Sequence, residues 1–89
     1  MIKKYTVLFE KKYIKDLKHI HPNYHKAIKD TVLSLAENPR PNGYIKLKDS
    51  ENLFRIRIDP YRIIYTIQDD KLLILVLEIG NRKDIYKNL

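Results

Sequence analysis

Eighty-nine residues, 44% hydrophobic and 33% charged, specify a single domain over residues 1–89 and leave no room for a second core. The absence of cysteine excludes a disulfide framework, thiolate catalysis and a zinc–thiolate site. A formal net charge of +7 points to a polyanion such as nucleic acid, an acidic protein or an anionic membrane surface, against the plainer reading of a soluble basic domain.

The opening stretch MIKKYTVLFEKKYIKD has only a short apolar run before Glu10-Lys11-Lys12. It reads as neither signal peptide nor membrane span, so a soluble cytoplasmic protein is expected. Eight of the eighteen basic residues fall within residues 3–29, against two of the eleven acidic ones. KKYTVLF (3–9) alternates Tyr5, Val7 and Phe9 with Thr6 and Leu8, as a strand does. Apolar residues at 13, 14, 17 and 20 then mark one helical face between Glu10 and Ile20. A second helix is predicted from Asn23 to Glu37, with Tyr24, Ile28, Val32 and Leu35 buried and Asn38-Pro39 as its stop. His19, His21 and His25 straddle Pro22 and a helix break, which suits solvent-exposed turn residues and not a metal site.

NPRPNGYIKLKDSEN (38–52) is rich in turn formers, with room for a short strand near Tyr44–Leu47. Strands follow at 53–59, 61–67 and 72–79, the last two joined by a polar turn at Asp69-Asp70. LLILVLEI reads as a central strand buried on both faces, ended by Gly80. The tail NRKDIYKNL is a short helix or a turn. The order is β-α-α-β-β-β, an α+β fold with two N-terminal helices packed on one mostly antiparallel sheet.

The hairpin LFRIRIDPYRIIYTI sets the functional question. With Asp59-Pro60 as the turn, residues whose numbers sum to 119 lie opposite each other and share a face. One face collects Phe54, Ile56, Ile58, Tyr61, Ile63 and Tyr65 and packs on the helices. The other collects Arg55, Arg57, Arg62 and Ile64, with Arg57 across from Arg62. Like charges so placed destabilise a sheet by about 0.2–1 kcal/mol. Either the arginines splay into water and pair with Asp59, Glu51 or Glu78, or the open sheet face is an anion site. Guanidinium groups suit phosphate because their planar donors bind it bidentately. The last strand delivers Arg82 and Lys83 just past its end, with Tyr86 one helical turn after Arg82. Arg55, Arg57, Arg62, Arg82 and Tyr86 form a set with no paired carboxylates and no metal-ligand cluster. Such a set suits RNA cleavage in which a base takes the 2′-hydroxyl proton, the oxygen attacks the adjacent phosphate and arginines stabilise the charge that develops.

LAENP at the end of the second helix, KLK in the connector, FRIRIDPYRIIYTI in the hairpin and LEIGNRKDIY near the end together resemble the RelE/ParE superfamily of bacterial and archaeal type II toxins. Within it they are similar to the RelE-like mRNA interferases, over almost the whole chain. The resemblance implies a ribosome-dependent mRNA endonuclease that cleaves A-site codons without metal or other cofactor. It also implies a RelB-like antitoxin as partner, beside ribosome and mRNA. It places Arg55 and Arg57 at positions the family often fills with lysine, Arg62 just after the hairpin turn and Arg82 after the glycine step. Tyr86 corresponds to a tyrosine that stacks on the substrate base, and Lys48 to a basic residue of the connector. Lys83 joins Lys48, Arg55 and Arg57 as an RNA-binding candidate.

This chain departs from the family pattern at Asp49 and in an Arg82–Tyr86 spacing two residues shorter. Arginine stays protonated and makes a poor general base, which leaves Tyr86 or Lys83, beside arginines that favour their deprotonated forms, as candidates. The basic first helix with Tyr13, Ile14 and Leu17 offers a surface for the antitoxin, unless these residues face the sheet. A ParE-like gyrase-poisoning toxin and a non-catalytic RNA- or ribosome-binding module are the alternatives.

Overall fold

A computed structural model describes residues 4–47 and 52–81. The elements run β1 (Thr6–Phe9), α1 (Lys11–Lys18), a 3₁₀ turn (Pro22–Tyr24), α2 (His25–Ser34), β2 (Ile45–Lys46), β3 (Phe54–Ile58), β4 (Tyr61–Gln68), a second 3₁₀ turn (Asp69–Lys71) and β5 (Leu73–Asn81). The five strands form one sheet in the order β1-β5-β4-β3-β2. β1 runs parallel to β5 and the other neighbours are antiparallel. This is the α+β fold that the alternation of apolar residues implies. Among the described residues, no helix is long and apolar enough to cross a membrane.

The hairpin register is the one that parity requires: Phe54 faces Tyr65, Ile56 faces Ile63 and Arg57 faces Arg62. The turn is the two-residue Asp59-Pro60, whose peptide is cis. Phe54, Ile56, Ile63 and Tyr65 enter the core, with Ile58 and Tyr61 packed at its margin. From the helices come Tyr13, Ile20, Ile28, Val32 and Leu35, and from β5 Ile74, Val76 and Ile79.

Two boundaries and one burial pattern differ from the sequence reading. α2 ends at Ser34, because the chain tightens into i→i+3 bonds (Leu35 to Val32, Ala36 to Leu33, Glu37 to Ser34) before Pro39; such bonds satisfy the last carbonyls of a helix. β5 continues through Gly80 and Asn81, paired with Arg62 and Tyr61. Its two faces are unequal, since Ile74 and Val76 are buried while Leu73, Leu75 and Leu77 are half-buried.

The helices are placed by specific polar contacts. The Glu10 N–H donates to Val76 O, so the chain leaves β1 still fastened to β5 and α1 lies along the rest of that edge. There the Asp16 carboxylate accepts the Ile79 N–H at 3.3 Å, taking the part of a missing strand neighbour. His25 Nε2 lies 3.1 Å from Leu17 O and 2.9 Å from Ile20 O. Both partners are acceptors, so this nitrogen carries the proton, and it closes the C-terminal end of α1.

Two side chains fasten the far end of the sheet. Arg40 grips Asp69 through both nitrogens, at 3.3 and 2.8 Å, and the Tyr5 hydroxyl donates to Asp69 at 2.6 Å. The hydrogen bonds from Arg40 and Tyr5 hold the Asp69 carboxyl below its ordinary 3.8. Its contribution to stability is therefore present above that value and lost as pH falls through the lower folded value. Asp69→Asn should melt at a lower temperature than the parent at neutral pH, with the gap closing below 3.8, as read by thermal denaturation across pH. Tyr65, fully buried, donates to Pro39 O at 2.9 Å, and burial pushes its hydroxyl up to about 12. Tyr65→Phe should cost about 1–3 kcal/mol in urea denaturation, because the Pro39 carbonyl loses its buried donor.

Candidate functional site

The face of the sheet turned away from the helices has two cross-strand rows. One runs Glu78–Ile64–Arg55 and the other Gly80–Arg62–Arg57, across β5, β4 and β3. The three arginines expected to cluster from the hairpin do so, but in unequal surroundings. Arg57 is exposed and lies 3.7 Å from Asp59. Arg55 is half-buried, and Arg62 is only 5% exposed. This face is not the open, solvated surface that alternation alone suggests, because Ile64 (1% exposed) and Glu78 (7%) are buried on it as well. Tyr61 and Tyr65 point to the opposite side, into the core or its margin, as parity requires.

Among the described residues, β2 pairs only with Phe54 and Arg55. Beside the edge of β3 lies a groove of about 400 Å³, bordered by Thr31, Asn42, Ile45, Arg55 and Arg57. Gly43, at φ +92°, lets the chain turn around the rim of this groove. A phosphodiester laid there would meet Arg55 and Arg57, and Arg62 stands one strand further in, directly across from Arg57. Such an array presents several fixed positive groups to one or two adjacent phosphates, which stabilises a developing dianion without reorganisation. Arg82, Lys83, Tyr86 and Lys48, and Glu51 and Asp49 with them, lie outside the described residues. β5 ends at Asn81, the residue immediately before Arg82.

A second surface lies on the helical side. Phe9, Tyr13, Ile14, Leu17, Val32 and Leu33 line an apolar groove of about 360 Å³, with Lys29 at its rim. Ile14 and Leu33 are each 50% exposed. Lys11 and Lys15 flank Ile14 along α1. Of the three apolar α1 residues considered for partner binding, Tyr13 is buried, stacked on Phe9 at 5.1 Å, and Leu17 packs against the core. Ile14 alone of the three projects outward. The histidines have local roles: His25 closes α1, and His21 Nδ1 accepts the Asn23 N–H at 3.2 Å. Among the described residues, no group of three His, Cys, Asp or Glu side chains could hold a metal ion.

The sequence pattern marks Glu78 only as one of several counter-ions for the arginines and does not predict its burial. Its position depends on a register shift in β5 for which a single sequence carries one sign, a glutamate inside an otherwise apolar run.

Comparison with known proteins agrees with this fold. The family described as ParE toxin of type II toxin–antitoxin system, parDE, matches residues 7–86. Toxin RelE3 of Methanocaldococcus jannaschii is 34% identical over 85 residues, covering 90% of this chain and 93% of that one. The mRNA interferase toxin RelE of Escherichia coli is 22% identical over 81 residues, covering 89% and 84%. Among solved structures, the RelB–RelE antitoxin–toxin complex from Methanococcus jannaschii contains a chain that superposes with a TM-score of 0.75 at 30% identity, over 92% of this chain and 98% of that one. A shared fold, a family match over nearly the full length and relatives above 30% identity leave one assignment: the chain belongs to the RelE/ParE toxins of type II toxin–antitoxin systems.

Proposed function

We propose that this toxin is an endoribonuclease that cleaves mRNA in the A site of the ribosome without a metal ion. A 2′-hydroxyl loses its proton to a base and attacks the adjacent phosphate, a 2′,3′-cyclic phosphate forms, and the bond to the 5′-oxygen breaks as an acid protonates that leaving oxygen. The observation that carries this reading is the register that stacks Arg57 directly opposite Arg62, with Arg55 on the same face. Placing like charges opposite each other is unfavourable in the isolated chain, and the attraction of a bound phosphodiester for both guanidiniums offsets that repulsion. The arginines supply the positive charge that phosphoryl chemistry requires, and Arg82 and Tyr86, in the segment of sequence after β5, complete the proposed set. Lys48 and Lys83 add contacts to the RNA backbone. Only RNA offers the attacking hydroxyl, so the reaction discriminates against DNA. Arginine does not accept the proton at neutral pH, and Tyr86 or Lys83 serves as base. The mRNA interferase name of the E. coli relative points to the same chemistry.

The toxin is held inactive by a RelB-like antitoxin, as the RelB–RelE complex of the M. jannaschii relative suggests. The apolar groove between α1 and α2, with Ile14 and Leu33 exposed and lysines around it, suits an amphipathic helix with acidic flanks.

Arg62→Ala and Arg82→Ala should each reduce mRNA cleavage by about 10²-fold or more, the range for loss of a transition-state charge partner. Both should abolish growth arrest while the circular dichroism spectrum is unchanged. Primer extension after brief expression measures this, and retained cleavage in both variants would overturn the endonuclease reading. The ParE description of the family makes gyrase poisoning the competing outcome, and cleaved DNA–gyrase complexes with intact mRNA would establish it. Ile14→Glu together with Leu33→Glu should weaken antitoxin binding about 100-fold or more, as loss of central apolar anchors does. Isothermal titration reads this, and cleavage by the free toxin should be unaffected.

A further inference from the structure

Leu77 is the extra residue of a β-bulge, since Ile64 and Tyr65, adjacent on β4, face Glu78 and Val76 on β5. Strict alternation from Ile74 and Val76 would carry residue 78 into the core and residue 79 out of it. The bulge reverses this: Ile79 enters the core, and the Glu78 carboxylate is delivered to the arginine face. Bulges re-aim side chains in this way and are common beside active sites.

Arg62 and Glu78 are the two buried charged residues among those described. They stand on neighbouring strands one diagonal step apart, for Ile64 faces Glu78 and Gly80 faces Arg62. Gly80 contributes no side chain to separate them. Diagonal neighbours are roughly 7–8 Å apart, within reach of long side chains. Each also has an unused polar atom, Arg62 Nε and Glu78 Oε1, both buried and without a hydrogen-bond partner, so these two atoms are not bonded to each other. Glu78 Oε2 is engaged separately, 3.4 Å from the half-exposed Lys12 ammonium on α1. Arg57 on the same face has Asp59 and water. A buried guanidinium with no opposite charge nearby is driven toward solvent.

We propose that Glu78 is a positioning residue: its carboxylate is the counter-charge that keeps the Arg62 guanidinium buried on the arginine face, at the place where it meets the phosphate. Glu78 touches no reacting atom in this role. It acts through Arg62, and the Leu77 bulge puts it there.

The test uses the full-length toxin. The Arg62 side-chain N–H signal is followed by ¹⁵N NMR, and mRNA cleavage by steady-state kinetics on programmed ribosomes. In Glu78→Gln the Arg62 Nε–H should exchange with solvent about 10-fold faster or more, as a group does when its local protection is lost. The kcat should fall about 10–100-fold with KM changed little, the signature of a misplaced catalytic group. Glu78→Asp should restore part of both, and Lys12→Met should alter neither.

An unchanged Arg62 signal in Glu78→Gln would overturn the proposal. So would the same loss in Lys12→Met, which would make Glu78 a strut fastening α1 to β5. The kinetic arm rests on the endonuclease reading and the spectroscopic arm does not, so absence of cleavage in the parent would leave the NMR result to decide. If Glu78→Gln folds poorly, thermal melts of Arg62→Met, Glu78→Gln and the double variant decide. A coupled pair makes the double variant no less stable than the weaker single one, and additive losses would overturn the pairing.

Discussion

The pairing of β4 with its two neighbours decides on which side of the sheet the hairpin arginines and Glu78 lie. A strand alternates its side chains with a period of two, so one register places Ile63, Tyr65 and Ile67 under the helices and Arg62 and Ile64 on the reverse. A slip of one residue would exchange the sets, burying arginine in the core and exposing isoleucine. On the β3 side the register is uninterrupted and transmits the alternation to Arg55 and Arg57. On the β5 side it is broken once, at Leu77. Arginine face and hydrophobic core are thus two readings of one set of backbone hydrogen bonds.

That arrangement has an electrostatic consequence. Arginines across from each other cost a few tenths to about 1 kcal/mol on an exposed sheet, and leaving one charge buried without its partner costs about 3–5 kcal/mol. The protein treats the two cases differently. Arg57 remains in water with Asp59 nearby, where screening makes both attraction and repulsion small. Arg62 is withdrawn from water, where screening is weak and its interaction with an anion correspondingly strong. Under the proposed endonuclease reading this suits Arg62 to its part, because a buried, preplaced guanidinium does not have to shed water as charge develops on the phosphate.

Much of this was legible in the residues. The six apolar positions of FRIRIDPYRIIYTI agree on one register, and the pairs Phe54–Tyr65 and Arg57–Arg62 follow from it. Ile28, Val32 and Leu35 recur at helical spacing and all are buried. What was not legible comes from tertiary context. The Leu77 bulge leaves LLILVLEI looking like an uninterrupted strand, because a single extra residue has no composition of its own. The end of α2 depends on i→i+3 bonds that anticipate Pro39, a choice that helix propensity does not resolve. The burial of Arg62 is equally invisible to parity, which assigns a face and says nothing of how deep a side chain sits on it. The resemblance carried by LEIGNRKDIY and YRIIY reached the family that the comparisons show.

The first helix shows how little sequence is needed to join these features. β1 pairs with β5 only from Leu73 to Val76, so the remaining edge of β5 needs a different cover, and α1 supplies it. Eight residues divide among three duties at helical spacing. Tyr13 and Leu17 face the core. Lys12 and Asp16, one turn apart and bridged at 3.1 Å, face β5. Ile14, between Lys11 and Lys15, faces outward. The side turned to β5 carries charge because its neighbours there are a backbone N–H and a carboxylate: Asp16 accepts from Ile79, and Lys12 approaches Glu78. These two are the residues that follow the Leu77 bulge. The helix therefore binds β5 at the point where its alternation changes, satisfying a backbone donor left without a strand neighbour and lending a cation to the carboxylate that the bulge has turned toward the arginines. An apolar face at this edge would strand the Ile79 N–H, at a cost of about 1–3 kcal/mol for a buried donor, so the polar side of α1 is as much a requirement of the sheet as its apolar side is of the core.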